Sequence, residues 1–151
     1  MRIWRIGSAL HPIWDGGGAA KVGGRWNPIG RPVIYAAGSL SLAMLELLVQ
    51  RGRFVATLVV AADVPDDVPV TDLMDNPPPN WRVIGSLEAQ EAGAAWLDAC
   101  RTALLRVPSA VVPQEANYLV NPSHPDAARI RVSAPDALVW DPRLFGIPAP
   151  W

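Results

Sequence analysis

The chain has one cysteine, Cys100, and two histidines, His11 and His124, among its 151 residues. A single thiol excludes an internal disulfide and points to a reducing compartment. The histidines and the cysteine have no metal-ligand spacing, so no metal site is expected. Charge of either sign is scarce: 13 basic and 14 acidic side chains leave a net −1. That balance offers no basic excess to neutralise a phosphate backbone and argues against nucleic acid as a direct partner. The longest apolar run, residues 55–62 with Thr57 inside it, is far too short to span a bilayer. Met1-Arg2-Ile3-Trp4-Arg5 opens no apolar run of signal-peptide length. These absences predict a cytoplasmic protein without a membrane anchor.

Proline, glycine and tryptophan are plentiful instead. Sixteen prolines and twelve glycines predict long ordered loops more than regular helices. Seven tryptophans can supply much of a core, or line a planar-ligand pocket or a protein interface. At this length the chain fits one compact domain, residues 1–151, with a core able to stand alone.

Along the chain, residues 3–6 read as a short strand containing Arg5, residues 11–32 as a Gly/Pro loop, and residues 33–36 as a second strand. Ser39 or Ser41 can cap a helix running to about Gln50, with Gly52 as its stop. Leu40, Ala43, Met44, Leu47 and Leu48 form one apolar face of that helix, and Leu42, Leu45 and Val49 fill much of the other. Such a pattern predicts a buried helix whose only acid is Glu46. Residues 54–62 lack alternation, as a central strand covered on both faces would. Residues 63–82 are irregular. Ser86 caps a helix over residues 87–101, with Ala89, Ala92, Gly93, Trp96 and Cys100 inside and Glu91, Asp98 and Arg101 outside. Residues 104–112, 117–120 and 128–132 read as strands. The order predicts an α+β domain on a mainly antiparallel sheet.

Several site types fail on their spacing. Gly16 to Gly18 and Gly23-Gly24 follow no strand and do not match a dinucleotide fingerprint, and no Gly-Lys-Ser/Thr phosphate loop exists. Ser109, His124 and Asp126 can be assembled into a hydrolase triad on paper, but Pro108 and Ala110 replace the glycines of a nucleophile elbow. Arg25, Tyr35 and Glu46 are more telling. They stand at the edges of a loop, a strand and a helix in surroundings otherwise short of charge, where desolvation is costly unless a polar or charged ligand sits among them. A buried structural acid and a loop arginine packed over Trp26 are the plainer alternative.

Read together, Gly23-Gly24-Arg25-Trp26-Asn27-Pro28, Val33-Ile34-Tyr35-Ala36 and Ser39 through Glu46 resemble the RES domain, a family named for an arginine, a glutamate and a serine. Pro79-Asn80-Trp81-Arg82, the segment from Leu105 to Pro113, Asn117-Tyr118-Leu119-Val120-Asn121-Pro122 and Asp141-Pro142-Arg143 extend the resemblance over nearly the whole chain. It implies a fold like that of ADP-ribosyltransferase toxins and membership of a bacterial toxin–antitoxin pair. It also implies NAD+ as substrate, consumed by breaking the nicotinamide–ribose bond, with ADP-ribose passed to phosphate, water or a protein acceptor. The named set would be Arg25, Glu46 and Ser109, with Tyr35 and Arg5 as further pocket residues. In that scheme Glu46 faces the developing positive charge, Arg5 and Arg25 fork onto the pyrophosphate, Tyr35 stacks on or closes over the nicotinamide, and Ser109 orients the ribose or Glu46. The implied partner is an Xre-type helix-turn-helix antitoxin that blocks the pocket. A non-catalytic binding domain that kept the fold is the competing class, and it would be expected to have lost part of this set.

Overall fold

The computed structural model describes residues 1–50 and 57–146. Its strands are β1 (Arg2–Ser8), β2 (Ile34–Ala37), β3 (Thr57–Asp63), β4 (Val70–Asp72), β5 (Leu104–Pro108), β6 (Ala116–Val120), β7 (Arg131–Val132) and β8 (Asp136–Ala137). Its helices are α1 (Gly17–Val22), α2 (Leu40–Gln50) and α3 (Leu87–Ala99). One sheet runs β4-β5-β6-β2-β1-β3-β7, with β8 also on β3. Only β4–β5 is parallel among its pairings. The α+β, mainly antiparallel reading holds.

Two strands in the middle of this order carry the core. Leu104 and Leu105 on β5, and Leu119 and Val120 on β6, are fully buried although neighbours in a strand point to opposite faces. Both faces must therefore be covered. One gathers Ile3, Ile34, Ala36, Ala62, Leu104 and Val120. The other gathers Trp26, Val33, Leu105, Val107 and Leu119 under Ala89, Trp96 and Leu97 of α3. The unbroken apolar run at residues 54–62 suggested the same for β3. There only Val60 and Ala62 are buried; residues 54–56 lie outside the described residues.

Local chemistry explains most boundaries. Ser39 Oγ accepts from Leu42 N–H at 3.1 Å and caps α2, while Ser86 Oγ accepts from Ala89 N–H at 3.2 Å and caps α3. Cys100 closes α3 in the left-handed region with φ 47°, and this turns its side chain outward instead of onto the expected inner face. The strand expected over residues 104–112 stops at Pro108, where Ser109 N–H donates to Glu115 O and begins a tight reversal. The loop expected at residues 11–32 contains the six-residue α1, hidden from sequence by its glycines and lack of buried side chains. The region 63–82 contributes the three-residue β4. Residues 128 and 129 belong to a 3-10 turn, which leaves only Arg131–Val132 to pair.

The expectation for α2 needs correction. Leu42 and Ala43 are buried, but Leu45 and Val49 are 41% and 63% exposed. The helix covers one side of β1 and β2, packing Leu42 and Ala43 with Ala37, Trp4, Ile6 and Val112, and nothing described lies over its far side. Hydrophobic composition showed that the helix can be buried, not how many neighbours it has.

The closest backbone approach is between α3 and the Trp26 loop. A Cβ built on Gly93 would lie 1.7 Å from the Trp26 carbonyl oxygen. Gly93→Ala must push the helix off the loop, and we expect a loss on the order of 3 kcal/mol in urea unfolding. Gly18→Ala, whose Cβ would meet nothing within 4 Å, should leave the midpoint unchanged or raised.

Candidate functional site

The site begins with a loop folded around an amide. Asn27 is fully buried. Its Nδ2 donates to the carbonyls of Ala19 at 3.0 Å, Pro28 at 3.2 Å and Arg31 at 3.0 Å. Its Oδ1 accepts the Tyr35 hydroxyl at 2.7 Å, and that hydroxyl accepts Trp26 N–H at 3.1 Å. Gly24 is required here because a Cβ would stand 2.6 Å from the Tyr35 hydroxyl and 2.7 Å from Asn27 Oδ1. Gln90 Nε2 on α3 donates to Gly24 O at 3.1 Å, and Trp26 is buried against Trp81 with ring centroids 6.3 Å apart.

Arg25 leaves this loop toward residues 81–83. One of its terminal nitrogens donates to Trp81 O and Val83 O, each at 2.9 Å. Between those carbonyls, Arg82 sends its Nε to Ala110 O at 3.0 Å, beside Ser109. One three-residue segment thus links Arg25 to the Ser109 turn. Arg5, on β1, donates to Ile13 O at 2.5 Å, Tyr35 O at 2.7 Å and Asp15 O at 3.4 Å. Burial pulls its pKa down, and the charge of Asp15 opposes that. Strand alternation sends Arg5 to the side of Ile3 and the Tyr35 side chain to the side of Leu119. Arg5 meets Tyr35 only through its main chain.

The carboxylate hangs from α2. Glu46 Oε1 accepts the Ser109 hydroxyl at 2.7 Å and Asn117 Nδ2 at 2.6 Å. Ser109 Oγ in turn accepts Val111 N–H at 3.1 Å and Val112 N–H at 3.0 Å. A hydroxyl has one proton and two lone pairs, so Ser109 is saturated. It is also fully buried, and of its two expected tasks it performs the orientation of Glu46. The paper triad does not form: the Ser109 proton goes to Glu46, and His124 Nδ1 accepts Asp126 N–H as a turn cap.

Charge is distributed unevenly. The described ion pairs of arginine use Arg2, Arg31, Arg106, Arg129 and Arg143. Arg5 and Arg25 instead give their N–H groups to carbonyl oxygens, which satisfies their hydrogen bonding and leaves each positive charge without a carboxylate contact. That is an arrangement suited to an anion. Among the described residues no group of three His, Cys, Asp or Glu could hold a metal ion. A shallow depression of ≈ 110 Å³ between Arg31, Pro32, Leu97, Cys100, Asn121 and Ser123 uses none of these site residues.

Sequence reasoning assigned no individual role to Asn27 or Asn117, and it placed Gly93 on the inner face of α3, where it is buried. The signal for Asn117 was a polar residue two positions before the buried Leu119 on the same strand face. Asn27 stood before a proline, where a turn-forming amide is common enough to pass unnoticed.

Burial pushes the Tyr35 phenol well above its ordinary pKa, with Trp26 N–H and the Arg25 charge pulling the other way. The folded state therefore retains a proton that the unfolded chain releases above about pH 10, so stability falls as pH rises past that value. At neutral pH, Tyr35→Phe strands Asn27 Oδ1 and Trp26 N–H and should cost about 1–3 kcal/mol. Urea midpoints from about pH 8 to about pH 11 should show the gap between the two proteins narrowing.

Comparison with known proteins identifies the family. The family model described as RES domain matches residues 2–141. A protein of Sphingobium sp. (strain YBL2) named "Prs ADP-ribosylating toxin" is 38% identical over 160 residues, covering 95% of this chain and 96% of that protein. "Toxin Res" of Pseudomonas putida is 38% identical over 150 residues, covering 96% and 100% respectively. Among solved structures, the M. tuberculosis MbcT–MbcA toxin–antitoxin complex contains a chain that superposes with a TM-score of 0.70, covering 96% of this chain and 86% of that one. At 21% identity that likeness concerns the fold. With the family match spanning nearly its whole length, the chain belongs to the RES domain family.

Proposed function

We propose that this chain is the toxin of a toxin–antitoxin pair and acts by binding NAD+ and breaking its nicotinamide–ribose bond. The observation that carries the reading is the pairing of charges in the site. Glu46 is fixed by neutral donors, and Arg25 is fixed by neutral carbonyls. A dinucleotide answers both, with a pyrophosphate for the cation and a ribose that becomes oxocarbenium-like for the carboxylate. Glu46 gains most as that positive charge develops, which is the condition for lowering the barrier instead of merely binding substrate. Arg25 takes the pyrophosphate, without Arg5, whose side chain lies on the opposite face of the sheet from that of Tyr35. The Tyr35 hydroxyl is turned under the loop onto Asn27, so the ring is what it offers the nicotinamide. Ser109 acts through Glu46.

The acceptor of ADP-ribose is phosphate, water or a protein. A protein acceptor is favoured by one observation, the 38% identity to the Sphingobium protein named for ADP-ribosylating Prs. The partner in this reading is an Xre-type helix-turn-helix antitoxin that covers the pocket around Arg25 and Glu46.

Incubating the purified protein with NAD+ and measuring free nicotinamide tests the chemistry. Glu46→Gln should lower kcat by on the order of a hundredfold or more with the fold intact. Arg25→Ala should mainly raise KM, because a phosphate clamp serves ground and transition states alike. Undiminished release from Glu46→Gln would make the carboxylate structural.

In cells, expression of the chain alone should arrest bacterial growth, and co-expression of the adjacent helix-turn-helix protein should restore it. Arrest with a fall in cellular NAD+ indicates transfer to phosphate or water, and arrest at steady NAD+ indicates a protein acceptor. Undisturbed growth would count against the toxin reading.

A further inference from the structure

Glu46 has two partners, and the proposed chemistry accounts for only one. Asn117 stands on β6, opposite Ala37 of β2 and Val107 of β5. Its Nδ2 reaches Glu46 Oε1 at 2.6 Å, the same oxygen that the Ser109 hydroxyl reaches at 2.7 Å. The two donors come from different places in the chain, one from the turn after β5 and one from within β6, while the acceptor comes from α2. A single donor would let the carboxylate swing about one contact. Two donors converging on one oxygen hold that oxygen in place, and among the described residues neither bond uses Oε2.

We propose that Asn117 is a positioning residue which, with Ser109, ties down Oε1 of Glu46 so that Oε2 alone is presented to the reacting ribose. The inference rests on the NAD-cleaving reading above. Its physical basis is that electrostatic stabilisation of a transition state depends on where the charge is held before reaction, and a misplacement of about 1 Å can cost about a hundredfold. Ser109 cannot do this alone, because its position is set by the Val111 and Val112 N–H groups of its own turn. Asn117 carries no such ties. Its side chain is placed by a strand in the middle of the sheet, between β5 and β2.

The test uses Asn117→Ala together with Asn117→Leu, which keeps much of the volume and removes the donor without adding a charge. Each should lower kcat for nicotinamide release ~10- to 100-fold, as expected for a lost hydrogen bond that orients a functional group. KM should stay within about twofold, because substrate contacts are untouched. Combining Asn117→Ala with Ser109→Ala should cost less than the product of the single effects, since both act on one oxygen. A second readout needs no substrate. The side-chain amide of Asn117 should show, in ¹⁵N–¹H spectra, one proton displaced downfield by the carboxylate, and Glu46→Gln should remove that displacement. Wild-type kcat in either folded Asn117 variant overturns the proposal, as does an amide signal indifferent to Glu46→Gln. If the unaltered protein releases no nicotinamide even with phosphate and bacterial lysate protein supplied as acceptors, the NAD reading fails on its own. The amide spectrum then decides whether the clamp on Glu46 stands.

Discussion

The side-chain amide of Asn27 is the contact on which the loop half of the site depends. It sits at the centre of residues 19–31, gives its N–H groups to three carbonyls and takes the Tyr35 hydroxyl on its oxygen. The amide itself is fully buried, and a buried polar group without partners is costly. The amide makes an irregular loop affordable in a buried position. Everything nearby inherits its geometry: Trp26 is placed against Gly93 of α3, Tyr35 is turned under Gly24, and Arg25 is left as the charged side chain that leaves the loop.

The site differs from much of the surface in what its charges meet. On the surface, charges meet charges, as between Arg2 and Asp63 or Arg129 and Asp67, at exposed positions where such pairs contribute little to stability. Within the site, charges meet neutral dipoles. Glu46 takes a hydroxyl and an amide, and Arg5 and Arg25 take main-chain carbonyls. Neutral partners fix a side chain in place without cancelling its charge. An internal salt bridge between Arg25 and Glu46 would have been better satisfied and chemically idle. The segment 81–83 holds the two halves in register by touching Arg25 on one side and the Ser109 turn on the other.

Legibility from sequence followed the range of the interaction involved. The caps at Ser39 and Ser86 are local contacts, and they were readable because a hydroxyl three residues ahead of an amide N–H is a sequence pattern. The buried β5 and β6 were readable from their apolar runs. The exposed side of α2 was not, because hydrophobicity reports a side chain's affinity for a core and not the presence of a neighbour to supply it. Cys100 was misplaced for a different reason. The helix ends one residue before it, and a left-handed backbone rotates the side chain off the helical face. Of the site, Arg25, Tyr35 and Glu46 drew notice because they are polar groups in surroundings short of charge, and Ser109 through the family resemblance. Asn27, Asn117 and the close approach at Gly93 did not, because each matters through a partner 8, 71 or 67 positions away in sequence (Tyr35, Glu46 and Trp26).

Ser109 shows how a contact geometry separates chemical readings that composition leaves open. A serine can be a nucleophile, a substrate-orienting donor or a support for another group, and its hydrogen bonds decide among them. A nucleophile needs a base to take its proton and an open path to substrate. Ser109 has no open path: its lone pairs are filled by two main-chain N–H groups, its side chain is fully buried, and its proton is held on Glu46. The same contacts place it in the supporting role, as a donor that holds the Glu46 carboxylate. Glu46 then stands where a sheet, a turn and a helix converge, with Asn117, Ser109 and its own backbone each contributed by a different element. No one of those elements could orient the carboxylate alone, and for that reason the site exists only in the folded domain.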